Sequence, residues 1–185
     1  MAILVPTNHL LFNGEMITLR SANKNDAKSF FHTVITYLNE NEGQVWAPHE
    51  YQKTEADFRE WIQEMVEHPK QILILAESKG IIVGNIDFHI GDRMRISHTG
   101  EFGMGILPVW RSKGIGSLLL SSLLSWAQNQ SEIEKINLRV LANNQRAIGL
   151  YKKFGFTEEG RSHKAFKFSE SEYVDDIRLA KFLRS

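Results

Sequence analysis

Apolar residues recur at three- and four-residue spacing in four segments of the chain, with polar residues between them. This spacing puts the apolar side chains on one helix face and therefore predicts four amphipathic helices. Thr54 and Asp57 form a capping pair that marks the start of the second helix. The predicted helices are residues 25–38, the segment from Thr54 to just before Pro69, residues 114–128 and residues 144–154.

Shorter runs rich in Ile, Val, Leu and Phe lie between and around these helices and are typical of β-strands. Ser78-Lys79-Gly80 predicts a hairpin turn, whereas residues 39–53 show neither period and predict a long loop. The predicted strands are residues 16–20, 71–77, 81–90, 99–107, 135–141, 156–168 and 173–183. Hairpins early in the chain and strand–helix–strand units later favour a mixed α/β fold. We expect a mostly antiparallel central sheet with helices on both faces, and no doubly wound parallel sheet.

The length of 185 residues fits one domain. We expect residues 1–14 to form an N-terminal extension and residues 15–185 to form the domain. The opening Met-Ala-Ile-Leu-Val-Pro stretch lacks the basic residues of a signal peptide, and no apolar run reaches the length of a membrane span. These features predict a cytoplasmic protein.

The composition excludes several classes of chemistry. The 22 Lys and Arg residues balance the 22 Asp and Glu residues, which disfavours nucleic acid and membranes as partners. The absence of cysteine excludes a disulfide framework, a thiolate metal site and a cysteine nucleophile. The seven histidines include no helical His-x-x-x-His pair, and we predict no metal.

The most informative motif is Arg111-Ser112-Lys113-Gly114-Ile115-Gly116, which lies between a predicted strand and a predicted helix. Glycines there let backbone N–H groups face a ligand, and the helix adds the positive end of its dipole. Arg111 and Lys113 add positive charge, which suits a pyrophosphate. A tight loop with no ligand is the alternative. Ser117 and two leucines follow, so neither a P-loop nor a dinucleotide fingerprint fits.

This Arg-x-x-Gly-x-Gly motif, after a strand ending in Ile106-Leu107-Pro108, resembles the acyl-CoA pyrophosphate loop of the GNAT superfamily of N-acetyltransferases. A second block, residues 144–156, resembles the family pattern Asn-x-x-Ala-x-x-x-Tyr-x-x-x-Gly-Phe. The resemblance covers roughly residues 16–183. The chain is most similar to the branch of ribosomal-protein and polyamine acetyltransferases in three features. These are Glu101-Phe102-Gly103, Trp110 and residues 172–175.

The resemblance implies the GNAT fold and acetyl-CoA as co-substrate. It implies that the Asn144 position contacts the pantetheine region and that Tyr151 protonates the leaving thiolate. A helix N-cap for Asn144 and a core aromatic for Tyr151 are the alternatives. Homodimers are common among similar proteins, which leaves quaternary structure open. The expected cofactor-binding residues are Met104, Gly105, Ile106, Arg111, Ser112, Lys113, Gly114, Ile115, Gly116, Ser117 and Asn144.

Without cysteine, we expect direct attack of a neutral amine on the thioester, with backbone N–H groups of Met104 to Ile106 holding the carbonyl oxygen. Some relatives carry a glutamate base five residues before the Asn motif, where this chain has Arg139. Glu101 is our predicted substitute. A surface carboxylate pairing with Arg93 or Arg95 is the alternative for Glu101.

The amine that accepts the acetyl group is predicted from the protonation of amines rather than from a motif. About one α-amine in ten is neutral at pH 7, against roughly one lysine in a few thousand, so a weakly assisted site favours a protein N-terminal α-amine. Polyamines and aminoglycosides are alternative acceptors, and a non-catalytic acyl-CoA-binding module is the alternative outside enzymes. Trp46 and His89 are predicted to contact the acceptor; the alternatives are a loop anchor for Trp46 and an ordinary sheet residue for His89.

Overall fold

Eight strands form one sheet in the computed structural model, which describes residues 4–40, 46 and 48–184. The strands are β1 (Thr7–Leu10), β2 (Met16–Ser21), β3 (Ile72–Ser78), β4 (Ile81–Ile90), β5 (Thr99–Ile106), β6 (Lys135–Leu141), β7 (Thr157–Lys167) and β8 (Tyr173–Phe182). Their order in the sheet is β1-β2-β3-β4-β5-β6-β8-β7, and β5–β6 is the one parallel pairing among the described strands.

Four α-helices cover the two faces of the sheet. They are α1 (Ala27–Leu38), α2 (Glu55–Glu67), α3 (Ile115–Gln128) and α4 (Gln145–Lys153). One core joins α1 and α2 to β3 and β4, and a larger core joins α3 and α4 to the opposite face. The predicted mixed, mostly antiparallel sheet with helices on both faces is confirmed. Within the described part of the chain, no helix has the length and apolarity of a membrane span.

Local sequence signals explain where the helices begin. At α2 the Asp57 N–H donates to Thr54 Oγ1 at 3.3 Å and the Thr54 N–H donates to Asp57 Oδ2 at 2.6 Å, which is the predicted capping box. The start of α1 is stabilised by Arg20, which forms ion pairs with Asp26 at 2.8 Å and with Glu77 at 2.7 Å. This network ties β2 and β3 to the start of α1.

Strand β1 was not predicted. Its four residues, Thr-Asn-His-Leu, are too few and too polar to show a two-residue period. The strand pairs with β2 at the edge of the sheet, so Thr7–Leu10 joins the sheet although it lies in the segment expected to be an extension. Part of the predicted 39–53 loop, namely residues 41–45 and 47, lies outside the described residues.

The strands β5 and β6 separate towards their C-terminal ends. Their described pairs are Thr99 with Lys135, Gly100 with Ile136 and Glu101 with Asn137, and both strands continue beyond these pairs. α3 follows β5 and α4 follows β6, and both helices pack on the same face. The gap between the two strand ends, called the splay below, therefore lies beside the N-terminal ends of two helices.

Candidate active site

A cleft on the α3/α4 face opens at the splay. Nine of its residues belong to the eleven predicted cofactor-binding positions. Arg146, Ala147 and Leu150 were not predicted, although α4 presents them on the same side as Asn144 and Tyr151. The cleft is lined by Met104, Gly105, Ile106, Arg111, Ser112, Gly114, Gly116, Ser117, Asn144, Arg146, Ala147, Leu150 and Tyr151.

Backbone N–H groups of β5 point into the splay. The Leu107 N–H donates to the Val83 carbonyl on the β4 side at 2.9 Å. Because alternate residues of a strand direct their N–H groups to opposite sides, Met104 and Ile106 direct theirs towards β6. β6 has already diverged at this level. These two N–H groups are therefore available to a carbonyl oxygen bound in the cleft.

The loop before α3 has a backbone conformation that suits an anion-binding site. Ser112 has φ +60° and Gly114 has φ +94°, both in the left-handed region. Within the described chain no side chain caps the N-terminus of α3, so its first N–H groups stay available to a phosphate. A Cβ on Gly116 would lie 3.1 Å from Leu150 Cδ2 and would narrow the cleft between α3 and α4.

The two cations of the loop are each paired with a carboxylate. Arg111 Nη1 lies 2.8 Å from Glu40 Oε2, and Arg111 Nε donates to the Ile106 carbonyl at 3.1 Å. Lys113 Nζ lies 2.9 Å from Glu15 Oε2 and 4.5 Å from the centre of the Trp110 ring. The Lys113 hydrogen bond is the main cause that lowers the pKa of Glu15.

Two predicted cofactor residues direct their side chains away from the cleft. Lys113 turns towards Glu15, which the sequence could not reveal because the two residues are far apart in the chain. Ile115 is buried in the α3/α4 core. Both residues can contribute only backbone groups to the cleft in this arrangement.

Tyr151 combines a packed ring with an accessible hydroxyl. The side chain is 7% exposed, and its ring meets Phe102 and Phe156 edge-on at 5.6 and 6.2 Å. In the described part of the chain the hydroxyl makes no hydrogen bond, yet no fully buried side-chain polar atom there lacks a partner. The hydroxyl must therefore reach the cleft. Burial raises the pKa of Tyr151 to about 12.

Asn144 is the N-cap of α4, since its Oδ1 accepts a hydrogen bond from the Ala147 N–H at 3.2 Å. Asn144 also lines the cleft, so the capping role and the cofactor-binding role do not exclude each other. The same holds for Tyr151, which is both a core aromatic and a cleft residue.

The opposite side of the splay faces α1 and α2. A Cβ on Gly105 would lie 2.5 Å from the Tyr37 ring, and a Cβ on Gly103 would lie 3.2 Å from Asp87 Oδ2. Asp87 Oδ1 accepts from Asn85 Nδ2 at 3.2 Å, and Asp87 Oδ2 lies 3.2 Å from His89 Nε2. The two glycines leave room for the Tyr37 ring and the Asp87 carboxylate to lie directly over β5.

Further aromatic side chains lie on this face of the sheet. His89 stacks on Trp61 with ring centres 6.1 Å apart. Trp46 is 55% exposed and meets Tyr51 edge-on, so it is not buried as a core anchor. Trp46, Tyr51 and Trp61 line a recess beside α2.

Glu101 is exposed on this same face and shares a recess with Asn137, Arg139 and Arg178. Neither Arg93 nor Arg95 pairs with Glu101 within the residues that the structure describes. Across the described chain, no group of three or more His, Asp or Glu residues is placed to hold a metal ion.

Open N–H groups in a splayed strand pair, an uncapped helix start and a phenol at the cleft together suit an acyl-CoA thioester. The acetyltransferase (GNAT) family model matches residues 33–156, and the chain belongs to this family. It is an acetyl-CoA-dependent acyltransferase.

Individual relatives agree with this assignment. The chain is 30% identical to the L-amino acid N-acetyltransferase AaaT of Escherichia coli over 121 residues, which are 65% of this chain and 74% of that protein. A GNAT acetyltransferase structure from Streptococcus pneumoniae superimposes with a TM-score of 0.86 at 25% identity, covering 90% of this chain and 99% of that one. The structure of YncA from Salmonella typhimurium with acetyl-CoA has a TM-score of 0.81 at 17% identity, covering 91% and 95%, and shows the shared fold.

Proposed function

We propose that this enzyme transfers the acetyl group of acetyl-CoA to a primary α-amine, with Tyr151 as general acid. The observation that carries the proposal is the Tyr151 hydroxyl, which reaches the cleft from a buried ring at the splay. A protein N-terminal α-amine is the acceptor that the sequence favours. The name of the relative AaaT, an L-amino acid N-acetyltransferase, also describes an α-amine acceptor.

The cleft fits acetyl-CoA by charge and shape. The uncapped start of α3 and the left-handed loop at Ser112 and Gly114 would hold the pyrophosphate. Asn144 and the α4 face would border the pantetheine arm. Bound acetyl-CoA supplies a thioester carbonyl, which the N–H groups of Met104 and Ile106 are directed to hold.

The proposed step makes a C–N bond and breaks a C–S bond. A neutral amine attacks the carbonyl, Tyr151 gives its proton to the departing sulfur, and Glu101 takes the proton that the amine loses, directly or through water. A pKa of about 12 keeps Tyr151 protonated at neutral pH, which is the form an acid needs. Glu101 is exposed, so water can reach it.

A polyamine is a second candidate acceptor because of one recess beside α2. Three aromatic residues and three acidic residues line this recess, together with Lys53 and Phe58. A wall of aromatic rings with carboxylates beside it suits an extended cation. The aromatic residues are Trp46, Tyr51 and Trp61, and the acidic residues are Asp57, Glu60 and Glu64.

An acceptor screen tests both candidates. Acetyl-CoA is incubated with free amino acids, N-terminal peptides, spermidine and an aminoglycoside, and acetylated products are identified by mass spectrometry. We expect acetylation of α-amines, and spermidine as the preferred acceptor would favour the second candidate. If acetyl-CoA raises the melting temperature but no amine is acetylated, the proposed transfer is wrong.

A further inference from the structure

Arg146 differs from the two cations of the loop before α3 in having no carboxylate beside it. Arg111 lines the cleft but pairs with Glu40 at 2.8 Å, and Lys113 pairs with Glu15 at 2.9 Å. Arg146 also lines the cleft and is exposed, and its side chain makes no hydrogen bond or ion pair within the residues that the structure describes. In the described cleft, the cation without a counter-charge therefore lies on α4 and not in the loop.

The position of Arg146 on α4 places it opposite the start of α3. Arg146 is four residues before Leu150, so the two side chains lie on the same helix face. Leu150 meets α3, because a Cβ on Gly116 would lie 3.1 Å from Leu150 Cδ2. Both residues line the cleft together with Gly114 and Ser117. Arg146 therefore belongs to the wall that faces the uncapped N-terminus of α3.

Arg146 also occupies a place that does not favour the stability of its own helix. Asn144 is the N-cap of α4, so Arg146 is the second helical residue, where the macrodipole presents its positive end. The first turn of α4 has no acidic residue to offset this charge, whereas Lys152 and Lys153 suit the negative end at its last turn. A residue that opposes a local preference without an evident partner is expected at a functional site.

The cleft thus gathers positive charge from three sources, namely the starts of α3 and α4 and the Arg146 guanidinium. The loop before α3 adds a left-handed backbone at Ser112 and Gly114. Neither Asp nor Glu is among the described residues that line the cleft. A phosphate group has the negative charge that this arrangement lacks, and arginine binds phosphate through two parallel N–H donors.

We propose that Arg146 binds the pyrophosphate of acetyl-CoA from the α4 side, opposite the first N–H groups of α3. Arg111 then serves mainly to hold the loop, through its bonds to Glu40 and to the Ile106 carbonyl. The adenosine 3′-phosphate is the other phosphate within the same molecule, and dephospho-CoA, which lacks it, distinguishes the two. This role of Arg146 concerns the acetyl donor and is independent of which amine accepts the acetyl group.

Calorimetric titration of the parent protein and of Arg146→Gln tests this role without relying on catalysis. Coenzyme A and dephospho-CoA are titrated separately into each protein. We expect Arg146→Gln to raise the Kd of both ligands by a similar factor, about tenfold, because one charge-assisted pair is lost. Added salt should weaken binding to the parent more than to the variant, since screening acts on the pair that the variant lacks.

Lys152→Gln is the matched control, because it removes one positive charge from the same helix at an exposed position that does not line the cleft. It should leave both dissociation constants within about twofold of the parent values.

Thermal denaturation supplies a second readout that a merely structural role would move in the opposite direction. Without ligand, Arg146→Gln should melt at the same temperature as the parent or up to about 3 °C higher, because a cation is removed from the positive end of a helix. With coenzyme A, its melting temperature should rise less than that of the parent.

Three results would overturn the assignment. If Arg146→Gln weakens coenzyme A but not dephospho-CoA, Arg146 binds the 3′-phosphate instead of the pyrophosphate. If Arg146→Gln binds both ligands as tightly as Lys152→Gln does, Arg146 binds neither phosphate. A clearly lower melting temperature of unliganded Arg146→Gln would show that Arg146 stabilises α4. All three results would leave the proposed α-amine acetylation standing, because the acceptor screen tests it separately.

Discussion

At the scale of single residues, Tyr151 has the most direct consequence. Tyr151→Phe removes the proposed proton donor but keeps the ring that packs on Phe102 and Phe156. We expect kcat to fall roughly a hundredfold or more, with little change in the KM for acetyl-CoA. Steady-state kinetics measures both, and Tyr173→Phe, at an exposed tyrosine, is the control. Equal kcat in Tyr151→Phe and the parent would remove the general-acid role.

The candidate residues differed in how well the sequence could predict their surroundings. Tyr151 and Asn144 belong to a local motif whose helical spacing fixes their common face, so their place in the cleft followed from the sequence. The recess at Glu101 and the Glu15 partner of Lys113 come from segments that are distant in the chain. Asp87 lies over Gly103 only through the register between β4 and β5, which no local sequence signal reveals.

At the scale of elements, the start of α3 forms one side of the cleft. Gly116 lies where a side chain would meet Leu150 and Ile106. We therefore expect Gly116→Val to abolish most of the rise in melting temperature that acetyl-CoA causes in the parent. That rise is roughly 5–10 °C at a hundredfold excess over Kd. Thermal denaturation with and without acetyl-CoA measures it.

Gly149 supplies the matched control because a Cβ there would meet nothing within 4 Å. Gly149→Ala should keep the full response to acetyl-CoA. An unchanged response in Gly116→Val would show that the nucleotide thioester does not pass between α3 and α4.

The junction of β2, β3 and α1 depends on Arg20. Its ion pairs satisfy Asp26, which is largely buried, so Arg20→Gln leaves that carboxylate without its cation. We expect a loss of roughly 3 kcal/mol in the free energy of unfolding, measured by urea denaturation. Arg161→Gln, which removes ion pairs on an exposed hairpin, should lower the free energy of unfolding much less. Equal losses would contradict the structural role of Arg20.

The sequence predicted the helices and strands well wherever the periodic pattern of apolar residues extended over many positions. Most predicted helices and strands begin and end within one or two residues of the observed ones, because amphipathic stripes and the Thr54 cap are local signals. β1 has no such signal, and its pairing with β2 places it. The splay was likewise unpredictable, since it depends on where two remote strands stop pairing.

At the scale of the whole molecule, buried phenols predict a loss of stability in alkali. Burial raises the pKa of Tyr151 from 10 to about 12 and that of Tyr37 further. The unfolded chain loses these protons near pH 10 while the folded chain keeps them, so stability falls as pH rises from 10 towards 12. Tyr151 alone accounts for roughly 3 kcal/mol.

Urea denaturation between pH 8 and pH 11 tests this expectation. Tyr151→Phe should make the decline shallower, with the part due to Tyr37 remaining, whereas Tyr173→Phe should not change it, because Tyr173 is exposed. A free energy of unfolding that stays constant over this range would contradict it.

In the proposed arrangement the sheet would also separate the two substrates, with the nucleotide in the cleft on the α3/α4 face and the acceptor on the α1/α2 face, where His89 stacks on Trp61. Both molecules can then be bound at once, and we expect initial-rate plots at several fixed acceptor concentrations to intersect. Parallel lines would instead indicate that an acetylated enzyme forms.

In the proposed arrangement the two faces of the sheet could change separately. Substitutions in α1 and α2 would alter the amine pocket, while α3 and α4 would keep their packing on the opposite face. One scaffold could in this way acquire new acceptors, within the limit set by the Arg111–Glu40 ion pair, which links the loop before α3 to the chain just after α1.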